Sequence, residues 1–229
     1  MSTIVYVILG VIIIVLLFYV YIYYFSPTTT YSSSIWLNSS NPPITSITNP
    51  NTTNFSYGVW IYINTWSSAS MNLFNVKNGS SGKTLFSLDL PTTSPTLTAT
   101  IYTSPTACGT TISPNTITIT NNIGIQRWTY VIVSVNTNIV DCYLDGKLVT
   151  STQLTGVPII SCSNYSPNIN YGTGSDIYLS NFQRWITATD PATAMSYYGY
   201  KPATSALSTY GVNLRLIKDN VEQTAIKIF

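Results

Sequence analysis

The 229-residue chain contains no histidine, and Glu222 is its one glutamate. Histidine is the usual general base near neutral pH, the commonest metal ligand and a partner in Ser-His and Cys-His nucleophile pairs. Glycosidases require two carboxyl groups that flank the scissile bond at a fixed separation. The aspartates do not supply such a pair. We therefore predict that the protein is not an enzyme and has no catalytic residue, cofactor or metal site.

Charge is also scarce. Charged residues make up 7% of the chain, against roughly 25% in ordinary globular proteins. The net charge of +2 gives no electrostatic reason to expect nucleic-acid binding. Because 45% of the residues are apolar, the chain is not expected to be disordered. Ser, Thr and Asn supply the polarity, which suits a protein packed densely among others, although compositional drift of the genome explains the same bias.

The three cysteines fall into two groups. Cys142 alternates with Val140 and Leu144, which predicts a buried and inert thiol. Cys108 and Cys162 lie in polar, loop-like segments. An oxidising compartment would allow them to form a disulfide, but the sequence does not test their separation. No cysteine spacing indicates a zinc site.

One long apolar run, from Ile4 to Phe25, carries no charge. As a helix it would be roughly 33 Å long, enough to cross the hydrocarbon core of a bilayer. A cleaved signal peptide is the alternative, but the run has no basic n-region, is too long and precedes no small-residue cleavage site. No basic residue flanks the run, so membrane orientation stays open. The predicted membrane-anchor residues are Ile4, Val11, Ile14, Leu17, Tyr21 and Tyr24.

Three segments follow from composition. We predict a transmembrane anchor over residues 1–25, an extended Ser/Thr/Asn/Pro-rich stalk over 26–50, and one folded domain over 51–229. Within the stalk, residues 35–37 are the one place where an edge strand is expected.

The domain shows the two-residue alternation of half-buried antiparallel strands. Asp145-Gly146 between two apolar runs predicts a type I′ hairpin turn, and a second hairpin is expected around residues 218–220. Asp190 and Pro191 begin a two-turn helix that Gly199 ends. The predicted strands are Phe55–Ile63, Thr84–Leu90, Thr96–Thr103, Thr116–Thr120, Arg127–Val135, Val140–Leu144, Lys147–Thr150, Asp176–Ile186, Val212–Ile217 and Thr224–Phe229.

Four of these segments resemble motifs of concanavalin A-like, laminin-G-type jelly rolls. Residues 55–63 are similar to the opening F-T-x-x-x-W strand, and 128–135 to the W-x-H strand with Tyr130 in place of His. Residues 140–149 resemble the V-x-[LI]-Y-[VL]-[DN]-G-x-L-V hairpin, and 177–198 the closing strand and helix. The resemblance implies an all-β, concanavalin A-like (laminin-G-like) antiparallel β-sandwich, here preceded by a single N-terminal transmembrane helix.

That resemblance implies several kinds of binding. Lectin members bind sugar on the concave sheet, and Tyr57, Tyr62 and Tyr143 are the candidate glycan contacts here. The alternative is that the aromatic residues, Trp60 and Trp128 among them, form the core of the sandwich. Laminin-G members bind protein or calcium. Calcium through Asp89, Asp145 or Asp176 is poorly supported because no dense acidic loop exists.

A narrower resemblance concerns virion proteins of large icosahedral DNA viruses, which lie between an internal membrane and the capsid shell. It predicts a non-enzymatic, single-pass structural protein that tethers a capsid shell to that membrane. The expected partners are the lipid bilayer and either capsid proteins or copies of this chain, without nucleic acid. The alternative is a membrane-anchored, lectin-like protein with a carbohydrate partner.

Overall fold

The structure is a computed structural model. The structure describes residues 9–18, 20, 28–67, 69–79, 81–91, 94–106, 108–109, 111–162, 165–199, 213–218 and 221–227.

Antiparallel β-strands make up most of the described chain. In chain order they are β1 Thr28–Trp36, β2 Asn54–Ile63, β3 Met71–Asn78, β4 Thr84–Leu90, β5 Leu97–Ser104, β6 Ser113–Thr120, β7 Trp128–Asn136, β8 Ile139–Leu144, β9 Lys147–Gln153, β10 Val157–Pro158, β11 Pro167–Tyr171, β12 Ile177–Trp185, β13 Asn213–Lys218 and β14 Val221–Lys227. One short 3₁₀ turn covers Ile159–Ser161, and the helix α1 covers Pro191–Tyr198.

These strands form two main sheets. The first has the order β1-β12-β2-β7-β8-β9, and we call it sheet A. The second, sheet B, has the order β10-β5-β4-β3-β11, with β6 also paired to β5. The predicted all-β antiparallel sandwich is therefore confirmed.

Alternation of side chains along each strand builds the core between the two sheets. In β2, Phe55, Tyr57, Val59, Ile61 and Ile63 belong to this buried cluster. They meet the inward residues of sheet B, such as Phe74 and Phe86. Because the period of a strand is two, the intervening residues of β2 lie on the opposite, outer face of sheet A.

Local signals predicted most elements correctly. Strand β4 has the predicted bounds, and Asp145 and Gly146 have φ values of 50° and 78°, as a type I′ turn requires. The C-terminal strands β13 and β14 form the second predicted hairpin, as a separate two-stranded sheet. Strands β3, β10 and β11 were not predicted.

Helix α1 begins as its sequence predicts. The carboxylate of Asp190 accepts hydrogen bonds from the backbone amides of Ala192 and Thr193 at 2.9 and 3.0 Å. The hydrogen bond from the Thr193 side chain is the largest contribution that lowers the pKa of Asp190. The helix buries Ala194 against the outer face of sheet A, together with Trp60 and Tyr130.

The predicted stalk needs correction from Thr28 onward. Strand β1 pairs with β12 along the edge of sheet A, and Leu37 is fully buried. Farther on, Ile44 forms an isolated bridge with Ile169. The buried guanidinium of Arg184 donates to the carbonyl oxygens of Thr48 and Asn49 at 2.6 and 3.0 Å. A Ser/Thr-rich edge strand is held by backbone hydrogen bonds, which an apolar pattern does not reveal.

Only part of the predicted anchor lies within the described residues. Residues 9–18 and 20 are helical, and the side chains of Val11, Ile14 and Leu17 are exposed. Ile4, Tyr21 and Tyr24 lie outside the described residues. Within the part of the chain that the structure describes, no helix is long and apolar enough to cross a membrane. The anchor over Ile4–Phe25 stays a prediction.

The three cysteines form one disulfide and one buried free thiol. Cys108 and Cys162 form a disulfide whose Cα atoms are 5.3 Å apart. The thiol of Cys142 is buried in the core between the sheets, and this burial raises its pKa to about 12. Cys142 is therefore an inert core residue, as predicted.

Candidate functional site

Four aromatic side chains form a single row across the outer face of sheet A. Trp36 pairs in register with Tyr178, Tyr178 with Tyr62, and Tyr62 with Trp128. These residues lie on the adjacent strands β1, β12, β2 and β7. We call Trp36, Tyr178, Tyr62 and Trp128 the aromatic row.

The rings of the aromatic row contact one another in sequence. The centroids of Trp36 and Tyr178 are 6.0 Å apart with planes 11° apart, which is a stacked arrangement. Tyr178 and Tyr62 lie 6.3 Å apart, and Tyr62 and Trp128 lie 5.4 Å apart. Trp36 is 40% exposed, and the other three rings are half-buried. The row therefore presents apolar ring surface to solvent at one end of the strands of sheet A.

Polar side chains border this row at the adjoining strand ends. Asn64 follows β2, Asp176 precedes β12, and Gln126 and Arg127 precede β7. The backbone amide of Gln126 donates to the carbonyl oxygen of Ile63 at 2.7 Å, which fixes its loop beside β2. Tyr62, Gln126, Arg127, Trp128 and Tyr178 line a cavity of about 580 Å³. We call Asn64, Thr65, Gln126, Arg127 and Asp176 the polar rim.

Asp176 organises one side of the polar rim. Its carboxylate accepts hydrogen bonds from the Asn64 amide at 2.6 Å, from the Trp36 indole at 3.2 Å and from the Thr65 hydroxyl at 3.3 Å. The bond from Asn64, followed by that from Trp36, lowers the pKa of this carboxyl. Asp176 is therefore ionised at neutral pH and holds Trp36 against the sheet.

A second cavity lies one register step from the aromatic row, toward α1. Trp60 and Tyr130 pair in register, and each is two residues from a member of the row. Their ring centroids are 4.8 Å apart, and both residues are 1% exposed. Trp60, Tyr130, Asn181, Gln183 and Tyr197 line this cavity, whose volume is about 290 Å³. Tyr197 belongs to α1, so this second cavity lies beside the helix.

The three predicted glycan contacts have different environments. Tyr62 belongs to the aromatic row. Tyr57 is 2% exposed in the core between the sheets, where burial raises the pKa of its hydroxyl to about 12. Tyr143 is 1% exposed, and its hydroxyl donates to the carbonyl oxygen of Thr189 at 3.0 Å. Neither Tyr57 nor Tyr143 lines one of the two cavities described above, so of the three only Tyr62 remains a candidate.

The proposed alternative for Trp60 and Trp128 also needs correction. Both side chains lie on the outer face of sheet A, in or against the cluster that packs on α1. They are not part of the core between the sheets. The outward alternation of Trp60 with Tyr62 and of Trp128 with Tyr130 was visible in the sequence, but Trp36 and Tyr178 could be joined to them only through the strand register.

The aspartates that were considered for calcium have separate roles. Asp145 accepts from the Tyr130 backbone amide at 2.9 Å, and Asp89 accepts from the Asn72 side-chain amide at 2.7 Å. Asp176 belongs to the polar rim. Among the residues that the structure describes, no group of three or more His, Cys, Asp or Glu side chains is placed to hold a metal ion.

Comparison with known proteins identifies the fold family. A laminin-G model described as the concanavalin A-like lectin/glucanases superfamily matches residues 38–183, which is more than half of the chain. The chain belongs to this superfamily. The superfamily match begins at residue 38, inside the segment that the sequence had suggested as a stalk. No curated protein sequence matches the chain.

Solved structures of the same superfamily fold include neurotoxin binding domains. The binding domain of botulinum neurotoxin DC, in complex with rat synaptotagmin II, is similar with a TM-score of 0.53 and 16% identity, over 75% of this chain and 46% of that chain. The binding domain of serotype D has a TM-score of 0.53 and 12% identity, over 75% and 44% of the two chains. This chain spans less than half of either structure. At such identities the likeness shows the fold alone.

Proposed function

We propose that this chain is a non-enzymatic, membrane-anchored protein that binds a carbohydrate on the aromatic row. The observation that carries the proposal is the register of Trp36, Tyr178, Tyr62 and Trp128 across four adjacent strands. Buried aromatic residues are expected in any sandwich. Four rings in one row on an outer face, with Trp36 exposed and the other three half-buried, are suited to contact with a ligand.

The chemistry of the row and its rim fits a sugar. The C–H face of a pyranose ring is apolar and packs on an aromatic ring, while its hydroxyls require hydrogen-bond partners. Asn64, Arg127 and Asp176 supply an amide, a cation and a carboxylate along the border of the row. Ligand sites commonly combine a predominantly aromatic lining with a few such polar groups.

A binding titration tests the proposal. The full-length chain is purified in a detergent without a sugar headgroup and titrated with a panel of neutral oligosaccharides. Since Trp36 and Trp128 lie in the row, saturable binding should change the tryptophan fluorescence. Tyr62→Ala should weaken binding tenfold or more, which corresponds to about 1.4 kcal/mol. Leu148→Ala, which removes an exposed apolar side chain from β9, is the matched control and should leave binding unchanged.

Two results would contradict the carbohydrate proposal. One is the absence of saturable binding across the panel by a chain that unfolds cooperatively. The other is binding that Tyr62→Ala and Leu148→Ala affect to the same degree.

A structural role in a virion is the second candidate function, as a tether between a capsid shell and an internal membrane. The low content of charge, 7% of residues, supports it, because neutral surfaces are buried at protein contacts without the cost of desolvating ions. Imaging of the native particle separates the two functions. A protein chain seated on the aromatic row in fixed stoichiometry supports the tether, and a glycan on that row supports the carbohydrate proposal.

A further inference from the structure

The cavity of about 290 Å³ beside the aromatic row is distinct from the row in its chemistry. Rings of Trp60, Tyr130 and Tyr197 form part of its wall, and the side-chain amides of Asn181 and Gln183 complete it. None of these described lining residues is charged. Its volume is near the lower limit of the ~300–1,000 Å³ that small-molecule sites occupy, so it suits a substituent of one sugar ring rather than several rings.

A β-bulge in β12 places both amides at this cavity. The register between β12 and β2 shifts between Ser180 and Gln183, and Asn181 has a φ of 49°. A bulge inserts one extra residue into a strand and changes the direction of its side chains. Asparagine tolerates this left-handed conformation better than most residues. Without the bulge, the alternation that puts Tyr178 on the outer face would put Phe182 there as well and would turn Asn181 and Gln183 toward the core. With the bulge, the amides of Asn181 and Gln183 belong to the same cavity wall on the outer face.

Asn181 is available for a ligand. Its side chain is half-exposed and hydrogen-bonds to none of the residues that the structure describes. A left-handed residue at a bulge carries a conformational cost, and such residues cluster at binding sites, where their strain is part of the function. The bulge has a further structural consequence, because it returns Phe182 to the core between the sheets.

The lining selects among chemical groups. A side-chain amide both donates and accepts hydrogen bonds, and aromatic rings provide an apolar wall. A charged substituent would lose its hydration here without an ionic partner among the lining residues, which is costly. A hydroxyl would use the amides but would leave the ring surface without an apolar contact. An acetamido group has a donor N–H, an acceptor carbonyl and an apolar methyl, and therefore satisfies both parts of the wall.

We propose that this cavity takes the acetamido group of an N-acetylated sugar whose ring lies against the aromatic row. The proposal rests on the proposed function, since it assigns a sugar class to the same site. It adds that Asn181 and Gln183 determine specificity, while Tyr62 and its neighbours in the row supply binding that is common to all sugars of the same backbone.

Two oligosaccharides that differ only at C2 test this assignment. The full-length chain, in a detergent without a sugar headgroup, is titrated by calorimetry with the β-1,4-linked tetramer of N-acetylglucosamine and with the β-1,4-linked tetramer of glucose. The N-acetylated tetramer should bind at least tenfold more tightly. Asn181→Gly removes the amide and remains compatible with a positive φ. It should reduce this preference below threefold and leave affinity for the glucose tetramer unchanged.

Matched variants keep the two proposals separable. Tyr62→Ala should weaken both tetramers to the same degree and preserve their ratio. Gln183→Met keeps the length of the side chain without its amide, and it should also reduce the preference for the N-acetylated tetramer. If Asn181→Gly does not fold, Gln183→Met takes its place.

The outcomes overturn different claims. Equal affinity for the two tetramers, or a preference that survives both Asn181→Gly and Gln183→Met, overturns the acetamido site and leaves carbohydrate binding in place. If the N-acetylated tetramer does not bind to a chain that unfolds cooperatively, the acetamido site is overturned. Failure of the neutral panel as well overturns carbohydrate binding.

Discussion

The indole Nε1 of Trp36 donates a hydrogen bond to Oδ1 of Asp176 at 3.2 Å, between residues 140 positions apart in the chain. Trp36 ends the edge strand β1, and Asp176 directly precedes β12. The same indole stacks on Tyr178. A segment with the composition of a linker is thereby a structural part of the candidate site.

Removal of β1 should therefore destabilise the domain. A chain that begins at residue 51 lacks the strand that covers β12, the buried Leu37, and the carbonyl oxygens of Thr48 and Asn49 that Arg184 contacts. Loss of partners for a buried cation is expected to cost several kcal/mol by itself. We expect this chain to be insoluble or to unfold without cooperativity. Circular dichroism and thermal unfolding provide the measurement.

The comparison for that experiment is a chain that begins at residue 27. It retains β1 and all of the contacts named above, and it should unfold cooperatively. Equal melting temperatures for the two chains would show that residues 28–50 contribute nothing to the fold, and would restore the prediction of a stalk.

The pH dependence of binding should come from Asp176. The hydrogen bonds from Asn64 and Trp36 hold the pKa of its carboxyl below the ordinary value of 3.8. Because the folded pKa is lower than the unfolded one, ionised Asp176 stabilises the folded state fully above pH 3.8, and this stabilisation is lost as the pH falls through the lowered value. Affinity should fall over the same range, because the ionised carboxylate holds Trp36 of the aromatic row in place. The chain has no histidine, so affinity for a sugar should be flat between about pH 5 and 8.

Asp176→Asn isolates this contribution. The variant should bind the sugar more weakly at neutral pH. It should also lose the decrease in affinity at acid pH that protonation of Asp176 causes in the wild type. Asp141→Asn removes the same charge from β8, outside the polar rim, and should retain the wild-type profile. A sharp loss of wild-type affinity between about pH 5 and 8 would contradict the assignment, because no side chain with an ordinary pKa titrates there.

The disulfide between Cys108 and Cys162 should contribute substantially to stability. It closes a loop with a sequence separation of 54, for which the chain-entropy model gives roughly 4 kcal/mol. The double variant Cys108→Ala, Cys162→Ala should lower the free energy of unfolding by about that amount in a denaturant titration. Loss of less than about 1 kcal/mol would mean that the cross-link does not restrict the unfolded chain.

Thiol titration tests independently whether Cys108 and Cys162 are joined and whether Cys142 is buried. The native, oxidised protein should show no reactive thiol, because burial raises the pKa of Cys142 to about 12. The protein denatured without reductant should show one. Three reactive thiols after denaturation would mean that Cys108 and Cys162 are not joined.

The membrane anchor can be tested by placing a charge within the apolar run. The full-length chain should resist carbonate extraction from membranes. Ile14→Lys should increase the extracted fraction, because a lysine near the centre of a spanning helix costs about 2.5–3.5 kcal/mol. Ser2→Lys, outside the run from Ile4 to Phe25, should behave as the wild type. Carbonate release of the unmodified chain would contradict the anchor.

Sequence reasoning succeeded where the signal was local. The bounds of β4, the Asp145-Gly146 turn and the Asp190 cap of α1 each depend on a few adjacent residues whose conformational preferences are known. Strand β3 was missed because its register shifts twice against β4, which interrupts its alternation. Strand β1 was missed beyond its last residues because its Ser and Thr side chains give no apolar pattern.

The candidate site was less predictable because it depends on packing between elements that are distant in the sequence. The sequence identified Tyr62 as a contact, but it equally suggested Tyr57 and Tyr143, which the two sheets and α1 bury. Their strands were predicted correctly. The burial of each ring depended on what packs against its strand face, and a single strand carries no record of that.

The sequence by itself determined that the protein is built from antiparallel β-strands, has little charge and no histidine, and has an inert Cys142, because composition, alternation and turn residues act over a few positions. The tertiary structure alone decided that Trp36, Tyr178, Tyr62 and Trp128 form one row, that a bulge places Asn181 beside Gln183 in one cavity wall, and that residues from Thr28 onward belong to the fold. Pairing between strands distant in sequence sets these neighbours, and its register follows from the packing of the whole sheet.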